Sequence, residues 1–217
     1  KKTYLGDERT RAIYLLANKL TWWDAAEDKL LFHALMTGNG FPVPELHAVA
    51  HPTRRLKGVE HLADIDALGN WLSAQTRSIF GKPVLSSHGE GAVEVASVDA
   101  RAQSFLTSRR EEHSLNALVE AIGPYLQSNG YMFQQTLRPH AAIGKMTGGY
   151  LSSLRIIVTV DQAGPQVRHI ICRLPSGGNS VDNFRRPGNI NASVDPQTGR
   201  FGRATRGVGL RQEVLTN

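Results

Sequence analysis

One cysteine, Cys172, supplies all the thiol chemistry of this 217-residue chain. A lone thiol excludes an internal disulfide framework and any all-cysteine metal centre. Cys172 sits among Ile170, Ile171 and Leu174 and reads as a buried strand residue behaving as a small hydrophobe. A reducing, cytoplasmic compartment fits such usage. No apolar run reaches the ~18 residues that a membrane helix needs, so no membrane partner is expected. The chain opens at Lys1-Lys2 without an initiator methionine or a signal-like apolar segment, and the expectation is a piece of something longer. The phosphate-binding pattern G-x-x-x-x-G-K-[ST] is missing. Gly89-Glu90-Gly91 lacks the third glycine of a dinucleotide fingerprint and its strand–turn–helix setting. No H-E-x-x-H pair occurs, and the eight histidines are scattered.

What is present suits a packed domain. Hydrophobic residues make up 41% and charged residues 20%, enough apolar surface for a core. The length allows one large domain or two small lobes. The formal net charge of +6 is compatible with nucleic acid, anionic lipid or a phosphorylated ligand. The positive charges form no long run and carry no interleaved aromatics, which argues against a nucleic-acid binding module.

Taken in order, Glu8 to Leu20 and Ala25 to Met36 have helical spacing, the second ended by Gly38-Asn39-Gly40. A short strand follows Pro44. Residues His61 to Ser78, Arg101 to Arg110 and Ser114 to Gly123 read as helices. Ile79–Val95 reads as a β-hairpin. Tyr131 to Leu137 is a strand by aromatic and β-branched content. Leu154 to Val160 is a near-continuous β-branched run suited to a strand covered on both faces. It turns at Asp161–Gly164 into a returning strand, Val167 to Leu174. A glycine-, asparagine- and proline-rich loop with short strand pieces occupies the remainder. Helices and antiparallel hairpins in blocks predict α+β. The two hairpin regions, Ile79–Val95 and Tyr131–Leu174, are expected in separate lobes with a ligand cleft between them.

Four places carry candidate chemistry. In I-F-G-K-P-V-L-S-S-H-G-E-G, Ile79 to Gly91, a glycine- and hydroxyl-rich tip offers backbone N–H groups and Lys82 adds a point charge. That combination suits phosphate; an ordinary polar hairpin accounts for it as well. Gln134-Gln135 stands near a strand end, where amides read an adenine edge or simply close the strand. Arg155 lies in an otherwise apolar strand, so a carboxylate or a ligand phosphate should meet it. Ser180 to Asn191 gathers Asp182, Asn183 and two arginines. These suit Mg²⁺ and phosphate, or else a loop built on Asx-turns.

In this order the pieces resemble the ATP-grasp proteins, most closely the sugar-transfer-associated branch related to α-L-glutamate ligases. The resemblance runs from Asp28 to the C-terminal end. It rests on Asp28-Lys29, F-G-K-P-V-x-S-S-H-G-E-G, Tyr131 to Gln135 ahead of Leu137-Arg138-Pro139-His140, S-L-R-I-I-V-T, V-D-N-F and V-D-P-Q-T-G-R. It implies two α+β lobes with antiparallel sheets clasping ATP. The implied divisions are an N-terminal helical segment (1–50), a lobe with the glycine-rich flap (51–130) and a partial second lobe (131–217). Lys29 and Lys82 match the nucleotide lysines. Ser86, Ser87, His88, Gly89 and Gly91 fall in the flap, and Gln134 and Gln135 at the adenine hinge, where many members carry glutamate. Asp182 and Asn183 match the V-D-N-F signature, with Asp182 a metal candidate. Arg155, with Lys82, takes the catalytic place of steadying the transferred phosphate. The family's principal Mg²⁺ ligands, an acidic residue and an E-x-N pair, are implied beyond Asn217.

The function implied is ATP-dependent ligation of a carboxylate to an amine or similar nucleophile through an acyl-phosphate, with ATP and Mg²⁺ as cofactors. Phosphoryl transfer to a hydroxyl and non-catalytic nucleotide binding are the alternatives. Positioning and charge stabilisation do most of the work in such chemistry, which accounts for the lack of an obvious nucleophile or general base.

Overall fold

The computed structural model describes residues 7–18, 21, 23–87, 89–179, 181–183, 186–207 and 211–215. Two compact units result, Lys1–Thr136 and Leu137–Asn217.

The first unit is built on a sheet of β1 (Leu46–Ala50), β2 (Glu60–Leu62), β3 (Ile79–Pro83), β4 (Val93–Val95) and β8 (Tyr131–Gln135), in the order β2-β1-β8-β3-β4. Only β1 and β2 run parallel; the other pairs are antiparallel. One face packs against α4 (Ile65–Ser73) and α5 (Leu115–Leu126) around Leu68, Leu72, Ile122 and Phe133. Trp71 lies over Phe133 with ring centroids 4.8 Å apart, a separation at which tilted aromatic pairs attract. Ile79, Gly81 and Pro83 point to this core. A Cβ at Gly81 would come within 2.7 Å of the Tyr131 ring, so only glycine lets the two strands pass here.

The opposite face carries a second cluster of Leu30, Leu46, Val49, Val84 and Met132. Leu30 comes from α3 (Lys29–Gly38), which follows α1 (Asp7–Ala17) and α2 (Trp23–Glu27). A separate small sheet, β5 (Ser97–Asp99), β6 (Ser104–Leu106) and β7 (Glu112–Ser114), is strung antiparallel between β4 and α5.

Among the described residues the second unit has one short helix, α6 (Ala141–Thr147), and an antiparallel sheet. Its strands are β9 (Ser153–Asp161), β10 (Gly164–Leu174), β11 (Ile190–Val194), β12 (Phe201–Arg206) and β13 (Glu213–Leu215), ordered β13-β12-β11-β10-β9. Few side chains are buried there, chiefly Cys172, Leu174, Asn189 and Ala192. The thiol is thus a core residue of β10, and burial pushes it above its ordinary pKa.

Several expectations are corrected. The helix from Ala25 to Met36 is broken at Asp28. Asp28 is extended and caps α3, its Oδ1 accepting from Leu30 N and Leu31 N at 3.0 Å each; an aspartate that can satisfy two orphan amides prefers the cap to the interior. The segment from His61 begins as β2, and Asp64 starts α4. Arg101 to Arg110 is not helical. Asp99 Oδ1 turns the chain by accepting from Arg101 N and Ala102 N, and Gln103 and Arg110 have φ of 52° and 62°, values a right-handed helix does not contain. Tyr131–Gln135 does not part from the Ile79–Val95 hairpin, since β8 hydrogen-bonds to β3 from Ile79↔Gln135 to Pro83↔Tyr131. The implied divisions after residues 50 and 130 therefore fall inside one unit. β9, an edge strand of its sheet, is exposed along its whole length instead of covered on both faces.

Candidate nucleotide site

On β3 the pleat that sends Ile79, Gly81 and Pro83 into the core turns Phe80 and Lys82 to the other face. Their cross-strand partners are Gln134 and Met132 of β8, so Lys82 and Gln134 share one face of the sheet. Lys82 is half-buried, and among the described residues its ammonium makes no hydrogen bond or ion pair. Burial, and then the charge of Lys29, bring its pKa down to about 8 from 10.5.

Lys29 comes to the same place from the start of α3. Its Nζ donates to Val84 O (3.1 Å), Ser86 O (2.8 Å) and Ser86 Oγ (3.3 Å). Burial lowers its pKa, opposed by the carboxylates of Asp28 and Glu27. Asp28 fixes this helix end, capping it through Oδ1 while Oδ2 pairs with Arg54 Nη2 at 2.5 Å. The two expected lysines are therefore brought together, but with different duties. Lys29 spends its donors on the strand after β3 and on Ser86; Lys82 keeps its donors.

The flap, Ser86 to Gly91, is held at both ends. Lys29 holds Ser86, and Tyr131 Oη donates to Gly91 O at 2.7 Å. Gly89 and Gly91 have φ of 74° and 67°. A Cβ on Gly91 would lie 2.7 Å from Tyr125 Oη and 2.8 Å from Pro83 Cγ, so both conformation and space require glycine. Glu90 N donates to Ser87 O within the turn. His88 lies outside the described residues.

The two glutamines part company. Gln134 is 8% exposed, and among the described residues its amide has no hydrogen-bond partner. Gln135 closes the strand end: its backbone N donates to Glu45 O at 2.8 Å, and its Oε1 accepts from Glu45 N at 3.4 Å. Its amide is thus committed to the sheet.

In the second unit, Arg155 on β9 stands opposite Ile171 of β10, and Arg173 two residues further along β10 shares its face. Arg173's pKa is lowered by burial and by Arg155's charge, and raised by Asp182. Asp182 accepts a short hydrogen bond from Ser153 Oγ. Arg155 meets no carboxylate or other hydrogen-bond partner among the described residues. The loop from Pro175 is organised by Asn189, 1% exposed, which accepts from Ser176 N at 3.1 Å and donates to Val181 O and Asn183 O at 2.8 Å each. The amide-rich composition of this loop thus serves, at Asn189, its own turns. Ser180, Phe184 and Arg185 lie outside the described residues.

Sequence reasoning missed Arg173. Strand alternation was the available signal: Cys172 and Leu174 are buried in β10, so the residue between them faces the other way.

One family pattern, sugar-transfer associated ATP-grasp, matches residues 8–215. The chain belongs to that family. No curated protein sequence matches it. ATP-grasp membership carries ATP-dependent, ligase-like chemistry at a coarse level, and ATP-grasp proteins generally bind ATP and Mg²⁺. The α+β architecture with antiparallel sheets agrees with it. Two cations on one sheet face, one without a counter-ion, fit an ATP polyphosphate. A divalent metal is not provided for in the same way. Among the described residues no group of three or more His, Cys, Asp and Glu comes together. Asp182 is engaged by Ser153 and faces the charge of Arg173, whereas Mg²⁺ needs several oxygen ligands in octahedral array. Among the described residues, no helix is long and apolar enough to cross a membrane.

Proposed function

We propose that this ATP-grasp protein is an ATP-dependent ligase that joins a carboxylate to an amine or similar nucleophile. Lys82 is the principal phosphate ligand, Lys29 braces the flap and adds field, and the uncommitted amide of Gln134 receives the adenine. The observation that carries the reading is Lys82: a half-buried ammonium without a counter-charge, beside a second lysine. Burying a cation without a partner costs stability, and a polyphosphate removes that cost. The flap glycines supply backbone N–H groups for the same anion.

In the reaction a substrate carboxylate oxygen attacks the γ-phosphorus, and ADP leaves. The amine then attacks the acyl carbon, losing a proton, and phosphate departs with one former carboxylate oxygen. Arg155 neutralises the charge that develops in these steps, a role preorganised cations fill well.

Nucleotide titration tests the site. Lys82→Ala should weaken ATP binding at least about tenfold, the scale of one lost charge-assisted contact; unchanged affinity rejects the assignment. Isotope tracing tests the reaction. ¹⁸O from the labelled carboxylate must appear in released phosphate, whereas transfer of the label-free phosphoryl group to a hydroxyl would make the protein a kinase.

A further inference from the structure

The second unit's sheet has a basic, concave face that the reaction above does not fully use. Register places Arg155, Ile171 and Ser193 in one transverse row across β9, β10 and β11, and Arg203 of β12 stands beside Ser193 where the β11–β12 pairing shifts register. Ser193 Oγ donates to Arg203 O at 3.4 Å, which ties the last two together. The row's middle is short and its ends are long. A Cβ on Gly202 would sit 2.6 Å from Ser193 Oγ, so the low floor depends on glycine. In the next row Arg173, Asn191 and Thr205 rise along one side. These positions on β10, β11 and β12 line a hollow of about 600 Å³, and Arg155 stands outside its lining, opposite Ile171.

No acidic side chain lines that hollow among the described residues. Two of the nearby carboxylates are engaged elsewhere, and the third compensates Arg173. Asp195 accepts from Gln197 N, Thr198 N and Thr198 Oγ1 in the β11–β12 turn, and Glu213 pairs with Arg206 at 3.4 Å. Asp182 faces Arg173. Arg155 and Arg203 form no ion pair among the described residues. With adjacent strands ~4.8 Å apart, three strand steps separate these two arginines by roughly 14 Å. Planar guanidinium forks suit carboxylate and phosphate oxygens.

We propose that this face recognises a substrate with two separated anionic groups, and that Arg203 is the specificity-determining residue for the distal one. The inference rests on the ligase reading only in taking the proximal group, at Arg155 and Arg173, as the reacting carboxylate. The distal group is a second carboxylate or a phosphate; both offer the oxygen pair that Arg203 binds. The floor of Ile171 and Ser193 accommodates the uncharged body between them.

The test is calorimetric titration of the full chain with three probes: propionate with one anionic group, and glutarate and 3-phosphoglycerate with two. The wild type should bind at least one dianion about tenfold or more tightly than propionate, the gain of a second charge-assisted contact; which dianion wins identifies the distal group. Arg203→Gln should erase that advantage while leaving propionate affinity unchanged, and Arg203→Lys should restore part of it. Equal binding of propionate and both dianions overturns the proposal, as does an Arg203→Gln protein that keeps the preference, or failure of both dianions to bind at millimolar concentration. ATP is titrated separately. Loss of ATP binding with the dianion preference intact would remove the ligase reading and leave this surface standing.

Discussion

Lys82 pays in stability for what it does at the surface of the sheet. Its pKa in the fold is about 8 against 10.5 for the free side chain. Between those values the folded protein holds fewer protons than the unfolded chain, so stability rises with pH across this window and is lost again as pH falls through 8. Lys82→Met removes the buried charge while keeping the length. At pH 7 the variant should be more stable on the order of 1–3 kcal/mol, and its advantage should vanish toward pH 10.5. Denaturant unfolding across pH measures this; a variant no more stable than wild type at pH 7 would show that water already compensates the ammonium. The residue itself was legible, since a lysine in F-G-K-P ahead of a glycine-rich tip stands out in the sequence. The use made of Lys29 was not. Its three acceptors lie 55 and 57 residues away at Val84 and Ser86, and no local pattern encodes such a meeting. Arg203 was equally hidden, because its importance depends on a hollow assembled from several strands.

Among the elements, the flap depends on its rear anchor. Gly91 combines a left-handed backbone with contact against Tyr125 and Pro83, and Tyr131 holds its carbonyl. Gly91→Ala should therefore cost on the order of 1–3 kcal/mol of local strain. It should weaken ATP binding more than Gly89→Ala, since Gly91 is the anchored position. Hydrogen exchange of the amides from Ser86 to Ala92 would register the loosening; unchanged protection would mean that Tyr125 yields without loss. Element identity was mostly legible: β3, β4, α5 and β8 follow from apolar periodicity and from aromatic and β-branched content. It failed at Arg101 to Arg110, where the pattern of apolar residues suited a helix but Asp99 and two left-handed residues turned the chain. Propensity lost there to side-chain hydrogen bonds on the backbone.

For the whole molecule, the contrast between the units matters most. The first has two clusters of buried side chains, while the second buries few. β9 presents Leu154, Ile156, Val158 and Val160 to solvent, the last 77% exposed, on a strand whose outer hydrogen-bonding edge pairs with no other strand among the described residues. Exposed apolar edges seed pairing between chains. The isolated 217-residue protein should therefore self-associate, and Val160→Lys should suppress this without loss of fold. Light scattering at rising concentration decides it; equal scattering from both proteins would clear the edge of blame. The apolar run made the strand legible but not its exposure, because cover is a property of what packs against a strand and is written elsewhere. A different consequence follows from β8. This central strand presents Tyr131 to the flap, Met132 across from Lys82, and Gln134 as a hidden amide. Inserting one residue just before Tyr131 would rotate every one of them to the wrong side. Capture of nucleotide and integrity of the main core would then be forfeited in a single event, which makes that short strand a common keystone for catalysis and folding.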